Sequence, residues 1–372
     1  LTSGSAAART PLEPFFLGID IGSFKTAVAT SNGERHTFHS AVGWPRDHIA
    51  RTALDRDVVL GEEVLRWRLA LDTIRPFAKG AMKHLDTSGS ASSETAAKRR
   101  LAAELLIQHA VGLVNPPEGM PRYAVIGAPS QVRPEYMSFL REAVSEVFDA
   151  VLIVTEPFTV AFGVNRLVDA LIVDIGAGTI DICPVYGTYP KEEDQVTLPI
   201  GGDSVDEAFC NLLRKTDSKV RLSLNMAREI KERHGFVHDL NENIVVTFPV
   251  DGVPTQVDVT GPLKRACQSL VEPILDGVRK VISRFDPEFQ RPLLDNIVLA
   301  GGGSQLLGLD RQLEKALRPL GGGSVRRVYD SVFAGAVGAL KLATNMPLSN
   351  WQRLEEAWSA SQKPAQRLRK AA

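Results

Sequence analysis

The sequence predicts an α/β fold made of two related halves that face each other across a cleft. Two observations carry this reading. Apolar strand-like runs alternate with helix-periodic segments along most of the chain, the pattern of sheets covered by helices. The same short turn also occurs twice, as Asp20-Ile21-Gly22 and Asp174-Ile175-Gly176. Each copy follows an apolar strand and precedes another, so a duplicated architecture with one cleft between its halves is the simplest account.

The bulk composition bounds what such a protein does. A chain of 372 residues suffices for two domains with substantial cores. Lys+Arg number 43 against Asp+Glu 44, and without a basic excess no nucleic-acid partner is expected. Cys183, Cys210 and Cys267 fall in no CxxC or CxxH spacing, which argues against a structural zinc site. No run reaches the roughly 20 apolar residues that span a bilayer, so no direct membrane insertion is expected. Residues 1–14 are rich in Ser, Ala and Thr without an apolar core; they are expected to be a disordered segment rather than a signal peptide.

Residues 15–160 form the first expected domain. Strands are predicted at Phe15–Ile21, Ala27–Thr30 and Glu34–Ser40, with Ser31-Asn32-Gly33 turning the last pair. Residues 44–118 are charged and helix-prone and read as an inserted subdomain, with a flexible loop at 87–93. Tyr123–Ala128 is a buried strand, Glu135–Val147 a helix with apolar periodicity, and Ala150–Val154 a strand. Glu156-Pro157 opens the next helix, where proline suits the first turn.

Residues 161–330 form the second domain. Strands are predicted at Leu171–Ile175, Thr179–Val185 and Gln195–Ile200, and Gly201-Gly202-Asp203 leads into a helix. An insert at 214–262 carries a helix at Leu224–Arg233 and a hairpin around Asp251-Gly252. One long helix is predicted over Pro262–Phe285, then a strand at Asp295–Ala300 and a helix at Leu309–Leu317. Residues 331–348 return to the first domain as a helix, and 349–372 read as a solvated tail.

The turns carry the chemistry. A glycine between two strands lets the backbone bend tightly and brings N–H groups near a ligand, and successive N–H groups make an anion-binding nest. In Asp20-Ile21-Gly22-Ser23-Phe24-Lys25 the aspartate sits where a carboxylate holds waters around magnesium. Taken alone, it reads equally as a plain hairpin with a capping aspartate. The second turn, Asp174-Ile175-Gly176-Ala177-Gly178-Thr179, repeats the arrangement, and two matched turns suggest a phosphate chain clamped between them. Leu299-Ala300-Gly301-Gly302-Gly303 presents bare backbone after a strand. It is neither GxGxxG nor a P-loop, which disfavours Rossmann and Walker-type sites. Glu156, at a strand-to-helix junction, is placed either to orient a water attacking a phosphate or simply to complement the helix dipole. Arg228-Glu229-Ile230-Lys231-Glu232, in isolation, is a charged helix face.

As a set, these segments resemble the motifs of the actin, sugar-kinase and heat-shock-chaperone ATPase superfamily, over roughly residues 15–343. Gly18 to Ser23 resembles its first phosphate motif, Val173 to Thr179 its second, and Val298 to Gly303 its adenosine motif. Ser331 to Leu340 resembles its second connecting helix. The runs Trp44-Pro45-Arg46-Asp47 and Glu193-Asp194-Gln195-Val196-Thr197-Leu198 are similar to those of the bacterial actins that organise magnetosomes.

The resemblance implies an actin-like, ribonuclease H-like duplicated fold and an ATPase that uses ATP/ADP and Mg2+. Asp20 and Asp174 would hold magnesium through water. Glu156 and Asp174 would be catalytic. Gly22, Ser23, Phe24, Lys25, Gly176, Ala177, Gly178, Gly202, Arg228, Lys231, Glu232, Gly301, Gly302 and Gly303 would hold the nucleotide. The chain would polymerise into cytoplasmic filaments alongside magnetosome membranes, assembling with ATP and disassembling after hydrolysis. An acidic magnetosome adaptor protein would suit the basic Lys363, Arg367, Arg369 and Lys370. An MreB-type shape-determining filament and a non-filamentous, chaperone-like ATPase are the alternatives. A small-molecule kinase lacks an evident catalytic aspartate. Phe24 and Lys25 depart from the small polar residues usual in the first turn.

Overall fold

The computed structural model describes residues 13–78, 93–132 and 134–371. The expected disordered segment, but for its last two residues, and the expected loop at 87–93, but for Ser93, lie outside them.

The first half opens as a meander of β1 (Phe15–Ile21), β2 (Lys25–Thr30) and β3 (Arg35–His39). A small sheet follows, made of β4 (Val42–Pro45), β5 (Val59–Leu60) and β6 (Leu71–Ile74), with helices α1 (His48–Leu54) and α2 (Glu62–Arg66) between its strands. Then come α3 (Ser93–Val114), β7 (Arg122–Ala128), α4 (Pro134–Val144), β8 (Ala150–Thr155) and α5 (Glu156–Gly163).

The second half repeats the plan with β9 (Ala170–Ile175), β10 (Ile180–Val185), β11 (Val196–Leu198), α6 (Gly202–Thr216) and α7 (Leu224–His234). A hairpin, β12 (Val245–Val250) and β13 (Val253–Asp258), projects from it. It turns through Asp251 and Gly252, both at positive φ, as a two-residue hairpin of matching twist requires. Next are α8 (Thr260–Gln268), α9 (Val271–Ile282), α10 (Pro287–Leu294), β14 (Ile297–Ala300), α11 (Leu309–Ala316) and β15 (Val325–Arg327). Helices α12 (Ala334–Asn345) and α13 (Leu348–Ala371) complete the chain.

The strand orders show the duplication. One sheet runs β3-β2-β1-β7-β8 and the other β11-β10-β9-β14-β15. In each, the central strand pairs antiparallel with its successor and parallel with the later strand, β1 with β2 and β7, β9 with β10 and β14. The two turns also close alike, beyond Ile21↔Thr26 in one and Ile175↔Ile180 in the other.

Helices cover these sheets, so β7 and β9 are apolar almost throughout. Two helices tie the halves together. Val160 and Ala161 of α5 pack under the second sheet against Ile172, Cys183 and Val298. In exchange α12 runs under the first sheet, where Ala336 meets Ala27 and Ala29 and Ala339 meets Tyr123 and Val125. The two helices cross where Gly163 lies against Gly338.

Three expectations need correction. The single helix over Pro262–Phe285 is two helices, broken at Ser269 and Leu270. Pro273 lies in the first turn of α9 and has no N–H to continue a helix begun upstream. The tail at 349–372 begins instead as part of α13: Trp351 is fully buried, stacks on Tyr123 at 5.0 Å, and donates from Nε1 to the Ala343 carbonyl at 3.0 Å. The helix-prone region at 44–118 contains a sheet whose strands are too short to leave a two-residue alternation.

Candidate functional site

A cavity of about 330 Å³ lies between the halves. The first turn supplies Asp20, Gly22, Ser23, Phe24 and Lys25, and the second supplies Asp174, Gly176, Ala177 and Gly178. Glu156, the first residue of α5, and Gly202, the first of α6, add to the wall, as do Arg228, Lys231 and Glu232 of α7 and Gly301 to Gly303 beyond β14. Every residue that the resemblance assigns to the nucleotide, the metal or catalysis thus lines one cavity.

Strand geometry aims the two aspartates. Asp20 and Asp174 occupy equivalent positions near the ends of β1 and β9. Burial pushes the Asp20 carboxyl up to about 6. Asp174 is raised as well, first by burial, then by the negative charges of Asp20 and Asp181. Two carboxylates with few ways to disperse charge therefore share one space.

A glycine from another element walls each of them. Gly335 of α12 lies so close to Asp20 that a Cβ there would sit 2.9 Å from its Cγ. Gly301 has φ 73° and ψ 168°, a region essentially confined to glycine. A Cβ on it would lie 2.5 Å from the Ile175 carbonyl and closer still to Asp174.

The second turn is bound to its own half. Gly176 N–H donates to the Thr179 carbonyl at 2.9 Å. The Gly176 and Ala177 carbonyls accept from the Gly202 and Asp203 N–H groups at 3.0 and 2.8 Å. The turn is thereby fixed to the start of α6, whose dipole favours negative charge nearby.

Helix α7 is held by a network the sequence reading missed. Arg228 donates to Asp203 at 2.7 Å and reaches Asp206 at 3.3 Å; Lys231 reaches Asp206 at 2.7 Å and the Gly202 carbonyl at 2.7 Å. Burial raises the Asp206 carboxyl, and the two cations oppose that rise. The signal was available, since Asp203/Asp206 and Arg228/Lys231 are both i,i+3 pairs, each on one helix face. Arg75, Phe77, Tyr136, Gln305 and Ser331 were also missed. Phe77, Tyr136, Gln305 and Ser331 line the cavity, and Arg75 donates to the Ser23 carbonyl at 2.9 Å. Arg75, Phe77 and Tyr136 come from segments without a glycine turn to mark them, and Gln305 follows the glycine run without sharing its backbone signal.

The comparisons agree with this geometry. The family model described as MreB/Mbl protein matches residues 96–346. The chain is 36% identical over 354 residues to actin-like protein MamK of Paramagnetospirillum magneticum, covering 95% of this chain and 98% of that one. Among solved structures it is similar to a MamK double helical filament, with TM-score 0.84 and 36% identity over 90% of this chain and 100% of that one. A non-polymerising MamK mutant bound to AMPPNP gives TM-score 0.69 at 36% identity, over 90% and 99%. With the duplicated sheets, the crossing helices and the shared cavity, these matches show that the chain belongs to the MreB/Mbl family of actin-like proteins, and within it to the MamK proteins.

Proposed function

We propose that this chain binds ATP in the cleft, hydrolyses it, and polymerises into a cytoplasmic filament that organises magnetosomes. One observation carries the reading: two Asp–Gly turns from duplicated halves, a glycine run and Glu156 all line a single cavity. The likeness to the MamK filament subunit supports the filament part.

Backbone N–H groups of Ser23, Phe24, Ala177 and Gly178 take the phosphates between the turns, while Gly176, whose own N–H closes the turn on Thr179, lines their path. Lys231, Glu232 and Gly301 to Gly303 hold the adenosine, with Gly22, Lys25, Gly202 and Arg228 completing the walls. Asp20 and Asp174 are half-buried on the cavity wall, and the charge of Asp20 raises Asp174, a donor set that fits a magnesium ion held through water. When bound, that ion neutralises charge on the phosphates. Glu156 orients the attacking water and takes its proton. Contacts between copies are head-to-tail and do not close, so they propagate as a filament. No helix among the described residues is long and apolar enough to cross a membrane. The basic residues between Lys363 and Lys370 supply a contact for an acidic adaptor.

The test compares wild type with Glu156→Ala, following phosphate release and pelleting with ATP, with ADP and without nucleotide. Wild type should pellet with ATP. The variant should also pellet, with phosphate release lowered about 10²–10⁴-fold and disassembly stalled. Unchanged phosphate release would take the catalytic role from Glu156, and a soluble wild type in all three conditions would remove the filament.

A further inference from the structure

The reading above leaves Phe24 and Lys25 without a purpose beyond their backbone, although Phe24 is an aromatic ring only 9% exposed. The ring is occupied. The Arg228 guanidinium, from the opposite half, sits 3.8 Å from its centroid. The Arg75 guanidinium lies at 5.0 Å, and His39 packs on it at 4.6 Å.

These contacts form a closed circuit across the cleft. Arg228 is gripped by Asp203 at 2.7 Å. Asp203 also binds Arg75 at 3.3 Å. Arg75 returns to the first turn through the Ser23 carbonyl. The circuit thus starts on the first turn, crosses to α7 and α6, and comes back through the residue after β6. Beside it Lys25 reaches Glu232 at 3.7 Å, a second crossing whose side chains are 41% and 50% exposed. Opening the cleft unstacks the buried cation from the ring. A desolvated pair of this kind resists separation, whereas the exposed bridge resists little.

We propose that Phe24 is a positioning residue for the nucleotide: its ring fixes Arg228 and clasps the two halves together, and so sets how long nucleotide stays bound. The proposal rests on the ATP reading given above. A small residue in its place would keep the turn's backbone donors and lose the clasp, so association and dissociation should respond differently.

The experiment follows release of a fluorescent ATP analogue chased with excess ATP, in wild type, Phe24→Leu and Phe24→Tyr. Leucine keeps the apolar bulk without the aromatic face, and tyrosine keeps the face. Release from Phe24→Leu should be faster by about 3- to 30-fold, with Phe24→Tyr within about 2-fold of wild type. A thermal melt checks that both variants fold. If Phe24→Leu is unfolded, Arg75→Gln takes its place, since it cuts the return path; faster release is again expected. Wild-type release from whichever variant folds overturns the proposal, as does Phe24→Tyr releasing as fast as Phe24→Leu. A wild type that never binds the analogue sinks the ATP reading itself, a result distinct from these.

Discussion

The two turns at the heart of the cleft have the same strand setting and opposite side-chain content. The second, Gly176 to Thr179, offers small residues and spends its carbonyls on α6, within its own half. The first carries Phe24 and Lys25, and both reach the other half. Duplication supplied two equivalent turns. In this chain one stays a bare backbone cradle and the other has become a contact across the cleft. What the turns share should therefore govern chemistry, and what they do not share should govern exchange.

The shared part is the aspartate, and breaking it should change stability and metal dependence together. The Asp20 carboxyl is raised from 3.8 to about 6 by burial. A raised carboxyl favours folding while protonated, and that contribution is lost as pH rises through the folded value. At pH 7, without nucleotide or metal, ionised Asp20 therefore costs stability. Asp20→Asn should gain about 1–3 kcal/mol there in urea unfolding with EDTA, and the gain should fade toward pH 4. The same variant should lose magnesium-dependent retention of nucleotide. A variant no more stable than wild type at pH 7 would mean that the two carboxylates are not held against their own charge.

The glycine walls test the same equivalence from outside. Gly335→Ala presses a methyl on Asp20 and should cost about 1–3 kcal/mol by overpacking. Gly301→Ala adds backbone strain to its clash with Ile175 and Asp174 and should cost more, by about 1–3 kcal/mol. Equal losses in the two would show that the short helical turn after Gly301 relaxes freely.

Much of this site was legible because backbone chemistry leaves marks in sequence. A glycine after an apolar strand announces a tight turn, and an aspartate beside it marks the turn as a wall of the cavity. Asp20, Asp174 and Gly301 were found that way. What escaped was held by side chains from distant segments. Arg75 follows a four-residue strand, and nothing local ties it to Ser23. Asp203 and Asp206 look like ordinary helix acids until α7 is laid beside them. In the fold, β1, β7, β9 and β14 stood out because they are buried on both faces, whereas β15, three residues at a sheet edge, did not. The paired strands β4, β5 and β6 did not, being short. Trp351, Leu354 and Trp358 stand at helical spacing, yet the charges around them masked α13.

The smallest effect should come from Lys25, and its size separates the two crossings. The Lys25–Glu232 pair is exposed and 3.7 Å apart, the class of ion pair that contributes at most about 1 kcal/mol. Lys25→Ala should therefore speed nucleotide release by less than about 5-fold. Salt should erase even that difference, because solvent ions screen an exposed pair and leave the buried Arg228–Phe24 stack nearly untouched. Measuring wild type, Lys25→Ala and Phe24→Leu at low and high salt makes the division explicit. If Lys25→Ala were to match Phe24→Leu and lose its effect in salt, the first turn would hold the cleft by charge and not by its ring.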